Sequence, residues 1–183
     1  MDPFATPAEL QDYTGGKILS TDPRVADALA GASAAIRRYC GWHIWPSITE
    51  TVKVDGPGGK VLTLLTQYMT ALTSVTESGT LLVDTTDYRW SADGSVKKTT
   101  GYWTDYYRDI DVVFTHGYND VADLKQIVLA AVARGLSSPT GATREQAGAL
   151  SVSWATVAPG VSGGLALLQH ELAILDTYRI VTV

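Results

Sequence analysis

The chain has 183 residues, enough for one domain with a buried core or for a small domain carrying an inserted subdomain. Apolar residues make up 45% and charged residues 18%, values that fit a globular chain and exclude global disorder. A net charge of −5 argues against a protein that grips nucleic acid by its phosphates, and suits a surface that DNA slides past without sticking.

Thr6-Pro7-Ala8-Glu9 reads as a helix start: threonine caps, proline suits the first helical position and glutamate three residues on completes a capping box. Gly15-Gly16 ends that helix. Asp22-Pro23 repeats the signal, and Val25, Leu29, Ala32, Ile36 and Tyr39 then recur at helical spacing up to Cys40, with Arg37 and Arg38 beside the stripe. The lone Cys40 excludes an intrachain disulfide and reads as a small buried hydrophobe.

The middle of the chain is rich in threonine, valine and aromatics, as strands are. Alternation predicts strands at 49–54 and 60–65, joined by the turn Asp55-Gly-Pro-Gly-Gly59 as a hairpin. Further strands are expected at 72–77, 81–83, 88–90, 96–98 and 110–115, with Asp93-Gly94 turning between two of them. Helical periodicity resumes after Asn119-Asp120, with Leu124, Ile127, Val128, Ala131 and Val132 as the apolar face.

Residues 137–143 read as a loop and Leu150–Ala155 as a strand isolated from the others. Past a glycine-rich break that includes Gly163-Gly164, Leu165, Leu168, Leu172 and Leu175 form a narrow seam like that of a pairing helix. The chain closes on Tyr178-Arg179 and the β-prone Ile180-Val181-Thr-Val183. The expected fold is thus α+β. A small bundle of helices at about 6–14, 22–41, 120–136 and 165–177 carries a β-rich insert at about 48–117, between its second and third helices. The expected division is a core of 1–157, insert included, followed by a hinged helix and docking tail of 158–183.

No residue pattern supplies catalysis, a cofactor site or a metal site. His43, His116 and His170 are far apart, whereas zinc needs about four ligands at recognisable spacing. Gly56-Pro-Gly-Gly-Lys60 fails as a phosphate loop, because Val54 stands where the first glycine belongs and Val61 where a hydroxyl is needed. The acids at Asp84, Asp87 and Asp93, and at Asp105, Asp109 and Asp111, match no calcium-loop spacing and read as a solvated face. Tyr102, Trp103, Tyr106, Tyr107 and Arg108 make an aromatic loop. It reads either as an interface or as a hairpin tip whose rings cover their own sheet, with base stacking as a third reading. Met1-Asp-Pro-Phe-Ala-Thr-Pro7 lacks the features of a signal peptide, and no stretch approaches the roughly 18 apolar residues of a membrane span. Synthesis and folding in a cytoplasm are expected.

Several phrases in their order resemble the head-to-tail adaptor (connector) proteins of long-tailed bacteriophages, especially those of actinobacteria. They are Asp22 through Trp42, Leu72-Thr-Ser-Val-Thr76, Tyr88-Arg-Trp90, Asp93-Gly94, Val113-Phe-Thr-His-Gly-Tyr118, Asp123-Leu-Lys125, Ala131-Val-Ala-Arg134, Glu145-Gln-Ala-Gly148, Ser151-Val-Ser-Trp154 and Tyr178-Arg179. The resemblance implies a structural virion protein, not an enzyme, in a ring of twelve copies at the neck between head and tail. DNA would cross the channel without sequence-specific binding. The portal would lie on one side and a stopper or tail-completion protein on the other. It also implies a C-terminal segment that reaches into the portal, which makes Leu165, Leu168, Leu172, Leu175, Tyr178, Arg179, Ile180 and Val181 the candidate docking residues, at the portal or at a neighbouring subunit. The β-prone end departs from the family pattern, and reads as a strand donated to a partner sheet or as a frayed end. A stopper or tail-completion ring protein is the alternative within the class, a β-rich binding module the alternative outside it, and an enzyme ranks third.

Overall fold

A computed structural model describes residues 1–137, 144–147, 150–153 and 167–180. The chain forms two compact units: Met1–Cys40 joins Val121–Arg179 in the first, and Gly41–Asp120 with Ile180 makes the second.

The first unit is helical. Helix α1 (Pro7–Tyr13) starts at the expected capping box. Thr6 Oγ1 accepts from the Glu9 amide at 3.3 Å, and Glu9 Oε2 accepts from the Thr6 amide at 2.8 Å. Helix α2 (Pro23–Cys40) buries Val25, Leu29, Ala32, Ile36 and Cys40, the expected stripe with Tyr39 half-buried at its edge. Arg37, read as lying beside the stripe, is also buried; its guanidinium stacks 4.4 Å over the Phe4 ring and donates to the Asp2 carbonyl at 2.7 Å. Helix α3 (Ala122–Ser137) buries Leu124, Ile127, Val128, Ala131 and Val132 as its pattern predicts, and Leu129 as well. The three helices pack on one another.

The second unit is built from β1 (Ile48–Val54), β2 (Val61–Thr63), β3 (Met69–Glu77), β4 (Thr80–Leu81), β5 (Tyr88–Trp90), β6 (Ser95–Lys98) and β7 (Ile110–His116). These make a four-stranded sheet in the order β1-β7-β3-β4 and a three-stranded sheet in the order β2-β6-β5, antiparallel throughout. Strand β7 is central and alternates strictly, burying Ile110, Val112, Phe114 and His116. Ile110, Val112 and Phe114 share one core with Leu62, Leu64, Val75, Tyr88, Val96 and Trp103 from the rest of the unit.

Two expected connections differ. Residues 55–60 do not close a hairpin: β1 pairs with β7 and β2 with β6, so the glycine-rich run carries the chain from one sheet to the other. The aromatic segment after β6 is likewise a crossover into β7 and not a hairpin tip. The Asp93-Gly94 turn does join β5 to β6, with Gly94 at φ 87° and Thr66 atoms 2.9 Å from where a Cβ would stand. The strand at 150–155, expected to stand alone, has a partner: β8 (Arg144–Ala147) and β9 (Leu150–Ser153) form a two-stranded antiparallel sheet, while 154–155 lie outside the described residues.

Candidate assembly surfaces

The C-terminal region folds back on its own bundle. Helix α4 spans Gln169–Leu175, shorter than the expected 165–177, and a 3₁₀ turn follows over Asp176–Tyr178. Leu165, the Gly163-Gly164 hinge and Val181 lie outside the described residues. Far from swinging free, α4 packs on α2 and α3. Of the seam, Leu175 is fully buried while Leu168 and Leu172 are half-buried, so the leucines serve this internal contact. Polar bonds fasten the same segment. Arg134 of α3 grips the buried Glu171 through both carboxylate oxygens, at 2.8 and 2.9 Å, and Glu171 also caps the Leu168 amide at 2.8 Å. The Tyr39 hydroxyl donates to Asp176 at 2.6 Å and the Tyr178 hydroxyl to Asp123 at 2.8 Å. Arg179 is exposed and lies 5.4 Å over the Tyr39 ring. Ile180, half-buried, is the last described residue.

These fastenings join residues far apart in the chain, as does Lys125 to Glu9 at 2.8 Å, so no local spacing announces them. A capping-box glutamate was legible at Glu9; that its second oxygen serves Lys125 was not. The Lys125 ammonium, with the Thr6 amide, holds the Glu9 carboxyl below its usual range.

The aromatic loop splits. Trp103 is 2% exposed and belongs to the core of the second unit, its indole N–H donating to the Val96 carbonyl at 3.2 Å. Tyr102, Tyr106 and Tyr107 point outward with 66, 69 and 86% exposure, and Arg108 is exposed with them. The tryptophan thus covers its own sheet, while the tyrosines form a surface tip. The glycine run holds the tip's backbone. Gly56 N–H donates to the Tyr106 carbonyl at 2.8 Å, Gly58 N–H to that of Thr104 at 2.9 Å, and Trp103 N–H to that of Gly59 at 2.8 Å. Asp55 accepts from the Arg108 amide and Glu77 from the Thr104 amide, both at 2.7 Å. A Cβ on Gly56 would stand 2.1 Å from the Thr104 carbonyl oxygen, which is why glycine is needed there.

The acids read as a solvated face mostly cap turns and strands. Asp87 accepts from the Val83 amide at 2.7 Å, Asp93 from that of Ser95 at 2.9 Å, and Asp111 pairs with Lys53 at 2.7 Å. Asp109 accepts from the Ser78 hydroxyl.

A histidine pair was not foreseen. His43 and His116 stand 5.7 Å apart, and His116 Nε2 lies 3.0 Å from Glu50 Oε1. This brings a histidine to a carboxylate, which catalysis would require. The imidazole, however, is 1% exposed and walled by Phe114 and Trp42, so it presents no surface to a substrate. Burial, with His43 adding to it and Glu50 opposing, lowers the His116 pKa and favours the neutral ring. His170 is exposed, and Cys40 is buried, its thiol pushed up to about 11 chiefly by burial. Among the described residues no group of histidine, cysteine or acidic side chains could hold a metal ion, and no helix is long and apolar enough to cross a membrane.

The sequence matches a model of the head completion protein family over residues 4–133, and the chain belongs to that family. None of the curated proteins matches it. Solved structures share the fold along nearly the whole chain. A chain in the virion of a native gene transfer agent particle matches with a TM-score of 0.60 at 18% identity, over 98% of this chain and 91% of that one. One in the neck of the native particle, computed with C12 symmetry, has a TM-score of 0.58 at 18% identity, over 96% and 88%. One in the neck of the empty particle, computed with C6 symmetry, has a TM-score of 0.58 at 16% identity, over 98% and 91%.

Proposed function

We propose that this head completion protein is a structural subunit of a virion neck: it forms a ring under the portal of the filled head, passes DNA through its channel and receives a tail-side protein beneath. Family membership is the observation that carries this reading. The likeness to chains of a particle neck computed with C12 symmetry supports the ring and a count of twelve. The protein is structural and not an enzyme, in keeping with that family and with the closed surroundings of His116. The net charge of −5 suits a conduit that must not retain DNA. The sequence phrases resembling actinobacterial phage adaptors support the same position in the particle.

Docking to the portal falls to the end of the chain. Leu175 is committed to the bundle, Tyr178 is tied to Asp123 and Arg179 lies over Tyr39, so the docking assignment falls on the segment from Ile180 onward. Its composition, Ile180-Val-Thr-Val183, suits a strand added to a partner's sheet edge. Removing 180–183 tests this, because the polar bonds of Tyr39, Arg134 and Tyr178 that fasten this segment among the described residues all lie before the cut. The truncated chain should fold and lose binding to the purified portal by at least about tenfold, a change of 1.4 kcal/mol. Undiminished binding would overturn the docking assignment.

A further inference from the structure

We propose that Tyr106 and Tyr107 of one copy dock into a cleft beside Leu19 on a second copy of this chain. The inference rests on the ring reading, because a closed ring joins two different patches of the same protein. The tip is one such patch. Its tyrosines are 69 and 86% exposed, and its backbone is fixed by the glycine run and by Asp55, so little order is lost on contact. Aromatic rings held this way supply large contact area.

The other patch is in the helical unit. The connection between α1 and α2 and the C-terminal end of α3 enclose a cleft of about 600 Å³. Concave sites that take up ligand-sized groups span about 300–1,000 Å³. Ile18, Leu19, Pro23 and Leu136 give it apolar walls, and Leu19 is 56% exposed although it is a leucine. A phenol ring suits such a place, its body apolar and its hydroxyl at the wet rim.

Charge adds to the match. Asp105 precedes the two tyrosines and Arg108 follows them, while the cleft carries Lys17 and the Asp22–Arg24 ion pair. Asp105, Arg108 and Lys17 are exposed and have no ion-pair partner among the described residues, and Asp105 and Lys17 are the opposite charges of tip and cleft. Opposite charges at the rim of a contact fix its register and reject wrong partners.

The test is self-association of the full-length chain, measured by sedimentation over a range of concentrations, with and without purified portal. Asp105→Lys and Lys17→Asp should each raise the concentration for half-assembly by about tenfold, and the double variant should return to within about threefold of the unsubstituted chain. Single variants that assemble like the unsubstituted chain, or a double variant that sums the two losses, would overturn the contact and leave the ring standing. An unsubstituted chain that never self-associates, even on portal, would remove ring and contact together.

Discussion

Single residues decide whether each unit keeps its shape. Gly56 is required by a close approach and not by an unusual backbone angle: the Thr104 carbonyl occupies the space a side chain would take. Gly56→Ala should therefore cost about 1–3 kcal/mol in stability, seen as a lower denaturant midpoint with an unchanged slope. The Arg134–Glu171 pair is the matching case in the helical unit. Glu171 is buried and its partner a quarter exposed, so removing one member strands a charge. Arg134→Ala should cost about 3–5 kcal/mol, whereas replacing both by well-packed apolar residues should cost much less. His116 sets a pH dependence. Its folded pKa is lowered from 6.5, so below that value the unfolded chain takes up more protons than the folded one. The stability that the neutral ring contributes is fully present above pH 6.5 and is lost as pH falls through the window beneath it. Unfolding free energy measured against pH should fall on that acid side, and His116→Phe should flatten the fall; an unchanged profile in the variant would contradict this origin.

At the scale of elements, periodic patterns and the local β5–β6 hairpin were legible, and pairings between distant strands were not. The faces of α2 and α3 and the alternation of β7 could be read because each is a local repeat of apolar residues against one core. The capping box at Thr6 and the turn at Gly94 were legible for the same reason, being short-range chemistry. The glycine run at 55–59 misled because turn residues report a change of direction, not the sheet that the next strand joins. The aromatic loop supported two readings at once, because composition does not say which ring of a cluster turns inward: Trp103 is buried, while Tyr102, Tyr106 and Tyr107 are exposed. Of the expected leucine seam, Leu175 turns fully into the bundle while Leu165 lies outside the described residues, and what holds the segment is set by bonds from α2 and α3 that only the fold brings near. Leu175→Asp should accordingly release α4 from the bundle, at a cost of about 2–5 kcal/mol and with faster amide exchange in α4 before the rest of the unit opens. Exchange unaltered in α4 would mean that the contact with α2 and α3 does not hold it.

As a whole molecule, this head completion protein has a structural role, exercised by position and contact. The described residues offer a closed histidine pair and no open reactive site, while their surface carries a tyrosine tip and an apolar cleft. Such features gain meaning when many copies assemble, since each weak contact is repeated around a closed ring. The measurement that tests this most directly is the mass of the complex formed when the full-length protein is mixed with its purified portal, with the symmetry read by electron microscopy. The account predicts one closed ring of twelve copies seated on the portal with an open central channel. A single copy bound per portal, or none, would contradict it.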